Sequence, residues 1–243
     1  MKARTLARKL RRVVEGRNRN ALREARRYVA TDEESGRRQL ALLKREGCLP
    51  SSRVLEVGCG ALHAGIPTIE YLDPGNWVGM DPNGWLIDAT LTRPGNHQLV
   101  ERKRASFLNV DDFDASSLGR SFDHVLSHSV LSHAAHWQLP LFLHNVGKVL
   151  APGGRILASI RLAEGNMFGS IGSPDGRDSY DESWVYPGVS WFTLSTVERE
   201  ARSEGLEVSL KPEYTEFYIA GRNRERHDWL AFQRTSDQPD TSD

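Results

Sequence analysis

The sequence predicts an α/β fold, a doubly wound and mainly parallel sheet preceded by a helical extension. Three observations predict it. From Ser52 onward, short apolar runs of strand length alternate with stretches of helical period, the pattern of βαβ units. The strand-like run Arg53–Val57 passes directly into the loop Gly58-Cys59-Gly60. Before residue 48 the apolar spacing is helical throughout and the composition is basic. A chain of 243 residues suits one such domain with an appendage better than two full domains.

The elements follow in order. Leu6, Leu10, Val13 and Val14 share a helical face, and so do Leu22, Ala25, Tyr28 and Val29 after a break at Gly16–Asn20. Thr31-Asp32-Glu33-Glu34 has the form of a capping box, so a third helix starts there, buries Leu40 and Leu43, and stops near Gly47. Residues 1–47 form this basic extension, residues 48–234 the α/β domain and residues 235–243 a disordered tail. Within the domain, strands are expected at Arg53–Val57, Trp77–Met80, Ser106–Val110, Phe122–Ser127 and Arg155–Ile160. Helices are expected at Ile66–Leu72, with Pro67 in the first turn, at Gly84–Leu91 and at Gln138–Leu150, the last closed by Ala151-Pro152-Gly153-Gly154. Residues 162–190 are glycine-rich without a period and read as a long loop; its Tyr180, Trp184 and Tyr186, with Trp191 just beyond, form either an apolar wall over a ligand or ordinary packing. Ser195-Thr196-Val197-Glu198 is a second capping box, with Gly205 as the stop of its helix, and Leu206–Leu210 and Trp229–Arg234 supply the last strands.

Composition narrows the function classes. Hydrophobic residues make up 39% and charged residues 26%, an ordinary globular balance. No apolar run approaches the ~20 residues needed to span a bilayer, and the basic N-terminus lacks the apolar core of a secretory signal; a cytoplasmic protein with no membrane partner is expected. Two cysteines, Cys48 and Cys59, make neither a disulfide framework nor a four-ligand zinc site, and no metal is expected. The overall balance of 32 basic and 32 acidic residues hides an asymmetry: residues 1–45 hold 15 Lys/Arg against 5 Asp/Glu. Such a segment either touches an anionic partner or presents a solvated basic face while its other face docks on the acidic body.

The chemistry lies in Val54-Leu55-Glu56-Val57-Gly58-Cys59-Gly60. A buried strand ends in glycines that let the backbone approach a ligand, and open parallel sheets bind ligands beyond the carboxyl ends of their strands. Asp81 ends the next strand, 21 residues after Gly60, where a carboxylate can accept both hydroxyls of a ribose. An adenosine-containing cofactor fits this pair. A nicotinamide fingerprint requires a third glycine, and His63 stands at that position. S-adenosylmethionine has no phosphate and needs no third glycine, and its ammonium and sulfonium charges favour a nearby acid such as Glu56.

Four stretches carry a family resemblance. Val54–Gly60 resembles motif I of the class I S-adenosylmethionine-dependent methyltransferases, and Gly79-Met80-Asp81 resembles their motif II. Phe122–His128 is similar to their motif IV strand, and Val149-Leu150-Ala151-Pro152-Gly153-Gly154 to the turn before their fifth strand. The order and spacings are the family's from about Ser52 to Ile160; residues 1–45 lie outside it. The resemblance implies a Rossmann-like sheet of seven strands with an antiparallel final hairpin strand. It implies that Glu56, Gly58, Cys59 and Gly60 line the methionine and ribose parts of the cofactor and that Asp81 holds the ribose hydroxyls. It places Asn109–Phe113 at the adenine, with Asp111 favoured over Asp112 as the acid that accepts from the amino group and Phe113 packing on the ring. Ser127 and His128 take the position facing the methyl group.

Four histidines, His124, His128, His133 and His136, crowd one short segment. A hydroxyl acceptor must lose a proton on methylation, and neutral imidazole is a suitable base. His133, matching a histidine of the family after motif IV, is the first candidate and His128 the second; the competing role for His133 is to fix its loop by hydrogen bonds to the backbone. His124, inside a strand, is expected to be structural. The sequence thus predicts an enzyme that moves a methyl group from S-adenosyl-L-methionine to a small-molecule acceptor, with oxygen as the acceptor atom. Two alternatives stand beside it: a nucleic-acid methyltransferase using the basic arm, against which the absence of an Asn/Asp-Pro-Pro-Tyr-type motif counts, and a catalytically silent binding module of the same fold. The sequence says nothing of oligomeric state. Titration calorimetry separates the cofactor classes: S-adenosylhomocysteine is expected to bind and NAD and NADP are not, and nucleotide binding without S-adenosylhomocysteine binding would refute the assignment.

Overall fold

The computed structural model describes residues 33–170, 188–220 and 223–235. The helices expected before residue 33, the tail beyond 235, and Tyr180, Trp184 and Tyr186 lie outside the described residues.

Seven strands form one sheet: β1 (Val54–Val57), β2 (Trp77–Met80), β3 (Ser106–Leu108), β4 (Phe122–Ser127), β5 (Leu150–Ile160), β8 (Leu206–Ala220) and β9 (Asn223–Arg234), in the order β3-β2-β1-β4-β5-β9-β8. The first five run parallel; β9 is antiparallel to β5 and to β8. Every residue of β1 is buried, because the strand is central and covered on both faces. This is the predicted seven-stranded α/β sheet with an antiparallel final hairpin.

One apolar layer packs Leu55, Val57, Val125 and Ile156 against α5 (Gln138–Lys148) and α6 (Leu194–Ser203). The other packs Val54, Leu126 and Leu157 against α1 (Glu33–Arg45), α2 (Gly65–Tyr71) and α4 (Pro94–Lys103). Between α2 and α4 lies α3 (Gly84–Leu91). In α1, Leu42 and Leu43 are buried and Leu40 is only half-buried, so the apolar face is rotated by a residue or two from the expected one.

Several boundaries differ from expectation for physical reasons. α4 begins at Pro94, whose fixed φ suits the first helical position; with only Leu99 and Val100 buried it lacks an apolar stripe, and no element was expected there. Ala151–Gly154 does not separate helix from strand. It is a bulge inside β5, whose register against β4 moves from Phe122↔Leu150 to His124↔Arg155. The long loop contains a two-stranded sheet, β6 (Met167–Ser170) against β7 (Gly188–Trp191). The cap of α6 is Thr193, whose hydroxyl accepts from the Thr196 amide at 3.1 Å, two residues before the expected Ser195. Among the described residues no helix is long and apolar enough to cross a membrane.

Glu46, just past α1, joins that helix to the sheet. Its carboxylate accepts hydrogen bonds from Arg155 at 2.7 Å and from the Tyr214 hydroxyl at 3.2 Å, and Lys211 lies 3.1 Å away. Burial raises its pKa, but the hydrogen bonds from Lys211 and Arg155 outweigh it and the carboxyl titrates below its ordinary value. A depressed carboxylate adds stability above its unfolded pKa and loses it as pH falls through the folded one. Glu46→Gln is expected to lower stability by about 1–3 kcal/mol at neutral pH and to shrink the acid-side loss of stability, which denaturant melts at two pH values measure.

Candidate functional site

The strand order reverses beside β1, since β2 lies on one side of it and β4 on the other. Such a switch point opens a crevice at the carboxyl ends of the strands. The loop after β1 sits there. Gly58 has φ +74°, a conformation that side-chain-bearing residues rarely adopt. A Cβ on it would also lie 2.2 Å from Val130 Cγ2, so the loop after β4 rests directly on it.

Backbone amides tie this loop to β2. Gly58 and Cys59 donate to the Met80 carbonyl at 2.7 and 3.1 Å. Gly60 donates to Asp81 Oδ2 at 2.8 Å, and Asn83 donates to Asp81 Oδ1 at 2.7 Å. Asp81 is 6% exposed, so the predicted ribose acid also clamps the glycine loop from below. Register puts Glu56 on the same sheet face: it pairs with Gly79, and Asp81 is two residues further along β2. Glu56 Oε2 accepts from the Trp77 indole N–H at 3.2 Å. Burial pushes its carboxyl up to about 8; the Trp77 hydrogen bond works against that shift and the Asp81 charge adds to it. The Cys59 thiol is buried and pushed well above its ordinary value by burial and by the charges of Glu56 and Asp81; it is a small neutral space-filler.

At the predicted adenine loop, the Asp112 carboxylate is engaged locally, accepting from the Asp114 amide at 3.0 Å. The Asp112 carbonyl accepts from Asn145 of α5 at 2.8 Å, which fixes the loop. Asp111 is exposed. The ring of Phe113 belongs to the core and packs edge-on to Phe142 at 5.5 Å. Ser127 alternates to the face opposite Glu56 and is fully buried, its hydroxyl without a partner. The side chains of Phe113 and Ser127 are thus placed differently from the face-on roles expected of them, because core packing claims one and strand alternation turns the other.

The four histidines separate. His124 is buried within β4, at its amino end, and lines a cleft of about 340 Å³ with Glu46, Ser52 and Arg155; that end of a parallel sheet is the wrong one for the crevice. The Nε2 of His136 lies 3.2 Å from the Met167 carbonyl and 3.3 Å from that of Trp191, so the Nε2–H form donates to β6 and β7 and holds the small sheet in place. His128 and His133 stay at the carboxyl end of β4, His133 on the short 3₁₀ turn Leu131–His133.

Around them the structure brings together residues that sequence reasoning missed. The His128 ring stacks on Trp229 at 5.5 Å and lies 5.9 Å from His227. The Arg161 guanidinium, beyond β5, lies 5.6 Å from the Trp191 ring. Burial, then the proximity of His128, Arg161 and His133, pushes the His227 imidazole well below its ordinary value, so it is neutral at physiological pH. The signal for His227 was present only as a histidine two residues before a predicted strand, with nothing local to tie it to His128.

A family model described as a methyltransferase domain matches residues 55–156, the stretch that runs from β1 into β5. Solved structures share the fold. Magnesium protoporphyrin IX methyltransferase from Synechocystis PCC 6803, with S-adenosylmethionine bound, is 14% identical over 84% of this chain and 79% of its own, with a TM-score of 0.56. The glycopeptide N-methyltransferase MtfA is 16% identical over 84% of this chain and 90% of its own, with a TM-score of 0.59. The CcbJ methyltransferase from Streptomyces caelestis is 15% identical over 82% and 89%, with a TM-score of 0.55. Residues 55–156 thus carry a methyltransferase domain, set in the seven-stranded sheet with its glycine loop and Asp81 at the switch point.

Proposed function

We propose that this methyltransferase acts on a small-molecule acceptor at oxygen, with His133 as general base and His128 as the alternative base. The observation that supports it is the convergence of His128, His133 and His227 beyond the carboxyl end of β4, beside the loop that rests on Gly58. Methyl transfer is an in-line displacement: the acceptor oxygen forms a bond to the methyl carbon as the carbon–sulfur bond breaks and its electron pair returns to sulfur. A hydroxyl acceptor gives up its proton in this step, and a neutral imidazole within hydrogen-bond reach takes it. Arg161 and the neighbouring histidines, after burial, hold His227 neutral beside them.

In the cofactor half, Glu56 receives the ammonium group, the Gly58–Gly60 backbone and Cys59 pack along the methionine and ribose parts, Asp81 receives the ribose hydroxyls and Asp111 the adenine amino group. Phe113 contributes an edge of its ring or its backbone, and Ser127 supports the strand end from behind. A discrete acceptor is also supported by the neighbours' names, which specify a magnesium porphyrin and a glycopeptide. One of those names specifies nitrogen, so the choice of oxygen rests on the histidines.

Two substitutions test the halves separately. Asp81→Ala is expected to weaken S-adenosylhomocysteine binding by about 10- to 100-fold, the worth of one or two hydrogen bonds to a charged group, and to lower the melting temperature of the free protein because the Gly60 and Asn83 amides lose their acceptor. An unchanged dissociation constant removes Asp81 from the site. With any hydroxyl acceptor that supports turnover, His133→Ala is expected to lower kcat by ~10²–10⁴-fold with S-adenosylhomocysteine affinity unaltered. A loss of thermal stability with a normal rate for the folded fraction would instead assign His133 to holding its turn, and His128→Ala then becomes the deciding variant.

A further inference from the structure

We infer that Trp77 is a positioning residue for cofactor binding, its indole N–H holding one oxygen of the Glu56 carboxylate so that the other is presented to the ammonium group of S-adenosylmethionine. The inference rests on the reading of Glu56 as the ammonium ligand.

The indole is seated for this contact. Trp77 opens β2 and is 2% exposed. It shares a sheet face with Gly79 and Glu56, and its ring runs along the strand over Gly79: a Cβ there would lie 2.3 Å from Trp77 Cη2 and 2.8 Å from Cys59 Sγ. On its far side Gly65 of α2 allows the same approach, with a Cβ at 3.0 Å from Cζ2, and Phe107 meets the ring edge-on at 5.5 Å. The ring therefore has one place to lie, and its single polar atom donates to Glu56 Oε2 at 3.2 Å.

A need to satisfy the indole does not account for the contact. Trp229, on the same sheet face and 1% exposed, keeps its Nε1 buried with no hydrogen-bond partner. A buried carboxylate is a far costlier partner than a carbonyl, so the pair is explained by what the carboxylate does. Glu56 Oε2 is occupied by Trp77, and Oε1 takes no hydrogen bond from the described residues. The groups facing the carboxylate are Asp81 at the end of β2 and the Cys59 thiol in the loop; β4 presents Leu126 opposite it, and α2 presents Ile69 to the same apolar layer. None is a cation, so the cofactor brings the only counter-charge among these groups.

Proton linkage follows. With the Glu56 carboxyl pushed up to about 8 by burial, the free protein holds it mainly neutral at neutral pH, and an ammonium group selects the ionised form. Cofactor binding then releases a proton while the ligand's ammonium stays protonated: affinity rises up to tenfold per pH unit below that value and falls again once the ligand's own ammonium deprotonates in alkali. The Trp77 N–H stabilises the ionised form, so removing it raises the Glu56 pKa and moves the midpoint to higher pH.

The test is S-adenosylhomocysteine affinity as a function of pH on the full chain, for the native protein, Trp77→Phe, Phe107→Leu and Glu56→Gln. Trp77→Phe is expected to weaken binding about tenfold or more at neutral pH, with the curves converging in alkali, while Phe107→Leu, which disturbs the same packing, keeps the native midpoint. A Trp77→Phe loss that is equal at every pH, or no loss, overturns the inference. If Glu56→Gln binds like the native protein, the reading of Glu56 itself fails; if Glu56→Gln loses binding and Trp77→Phe does not, only the inference about Trp77 fails. Should Trp77→Phe not fold, the indole proton resonance of Trp77 in the native chain decides. It is expected to titrate near 8 in the free protein and to become pH-independent in the complex, and a resonance that responds to neither pH nor ligand overturns the inference.

Discussion

The hydrogen bond from the Gly60 amide to Asp81 holds the crevice in shape. β1 and β2 lie side by side in the sheet, but their carboxyl ends are free to diverge unless something joins them. Asp81 joins them by accepting from Gly60 on one oxygen and Asn83 on the other, while the Met80 carbonyl takes the two preceding amides. The loop is thereby closed against β2 before any ligand arrives. Val130 can then rest on Gly58, which brings the start of the segment after β4 against the same loop. Preorganisation of this kind is what allows two molecules to be held within attack distance, about 3–3.5 Å between reacting atoms.

Charge is distributed unevenly over one face of this sheet. The acids Glu56 and Asp81 stand on β1 and at the end of β2, and His128, Arg161 and His227 stand at the ends of β4 and β5 and on β9. Alternation makes the division strict. The neighbouring acid on β9, Asp228, is fully buried on the opposite face and is bound by Arg226. A sulfonium cofactor with its ammonium group suits the acidic side, and the other side holds His227, kept neutral by burial and by the neighbouring His128 and Arg161.

The parts of this arrangement that are contiguous in sequence were legible there. Val54–Gly60 and Asp81 declare themselves because a buried strand, a glycine loop and an acid at the next strand end leave marks within 30 residues, and the parallel order follows from alternation of strands and helices. α4 left no mark because two buried residues make no stripe. β6 and β7 left none because their partner lies across an aperiodic, glycine-rich stretch. The bulge at Ala151–Gly154 read as a chain break because its glycines and proline are turn residues wherever they stand, and only pairing with β4 shows that the strand continues through them. Trp77 looked like one more apolar strand residue; its polar edge matters only once β1 and β2 are aligned in register.

That difference in legibility reflects how the two halves of the site are made. The cofactor half uses backbone amides, glycines and acids from two adjacent strands, with few degrees of freedom, and a substitution there disturbs the loop as well as the ligand. The proposed acceptor half draws on side chains at the ends of β4 and β5, on β9 and in the turn after β4, residues up to 99 positions apart as in His128 and His227, whose rings lie 5.9 Å apart. His128 or Arg161 can change without touching a hydrogen bond of the glycine loop. A fold built this way keeps one donor chemistry while its acceptor surface varies; the neighbours, at 14–16% identity with the same fold, carry names that specify different acceptors where they specify one. The residues proposed for the acceptor side lie at separate strand ends, where no local motif records their juxtaposition.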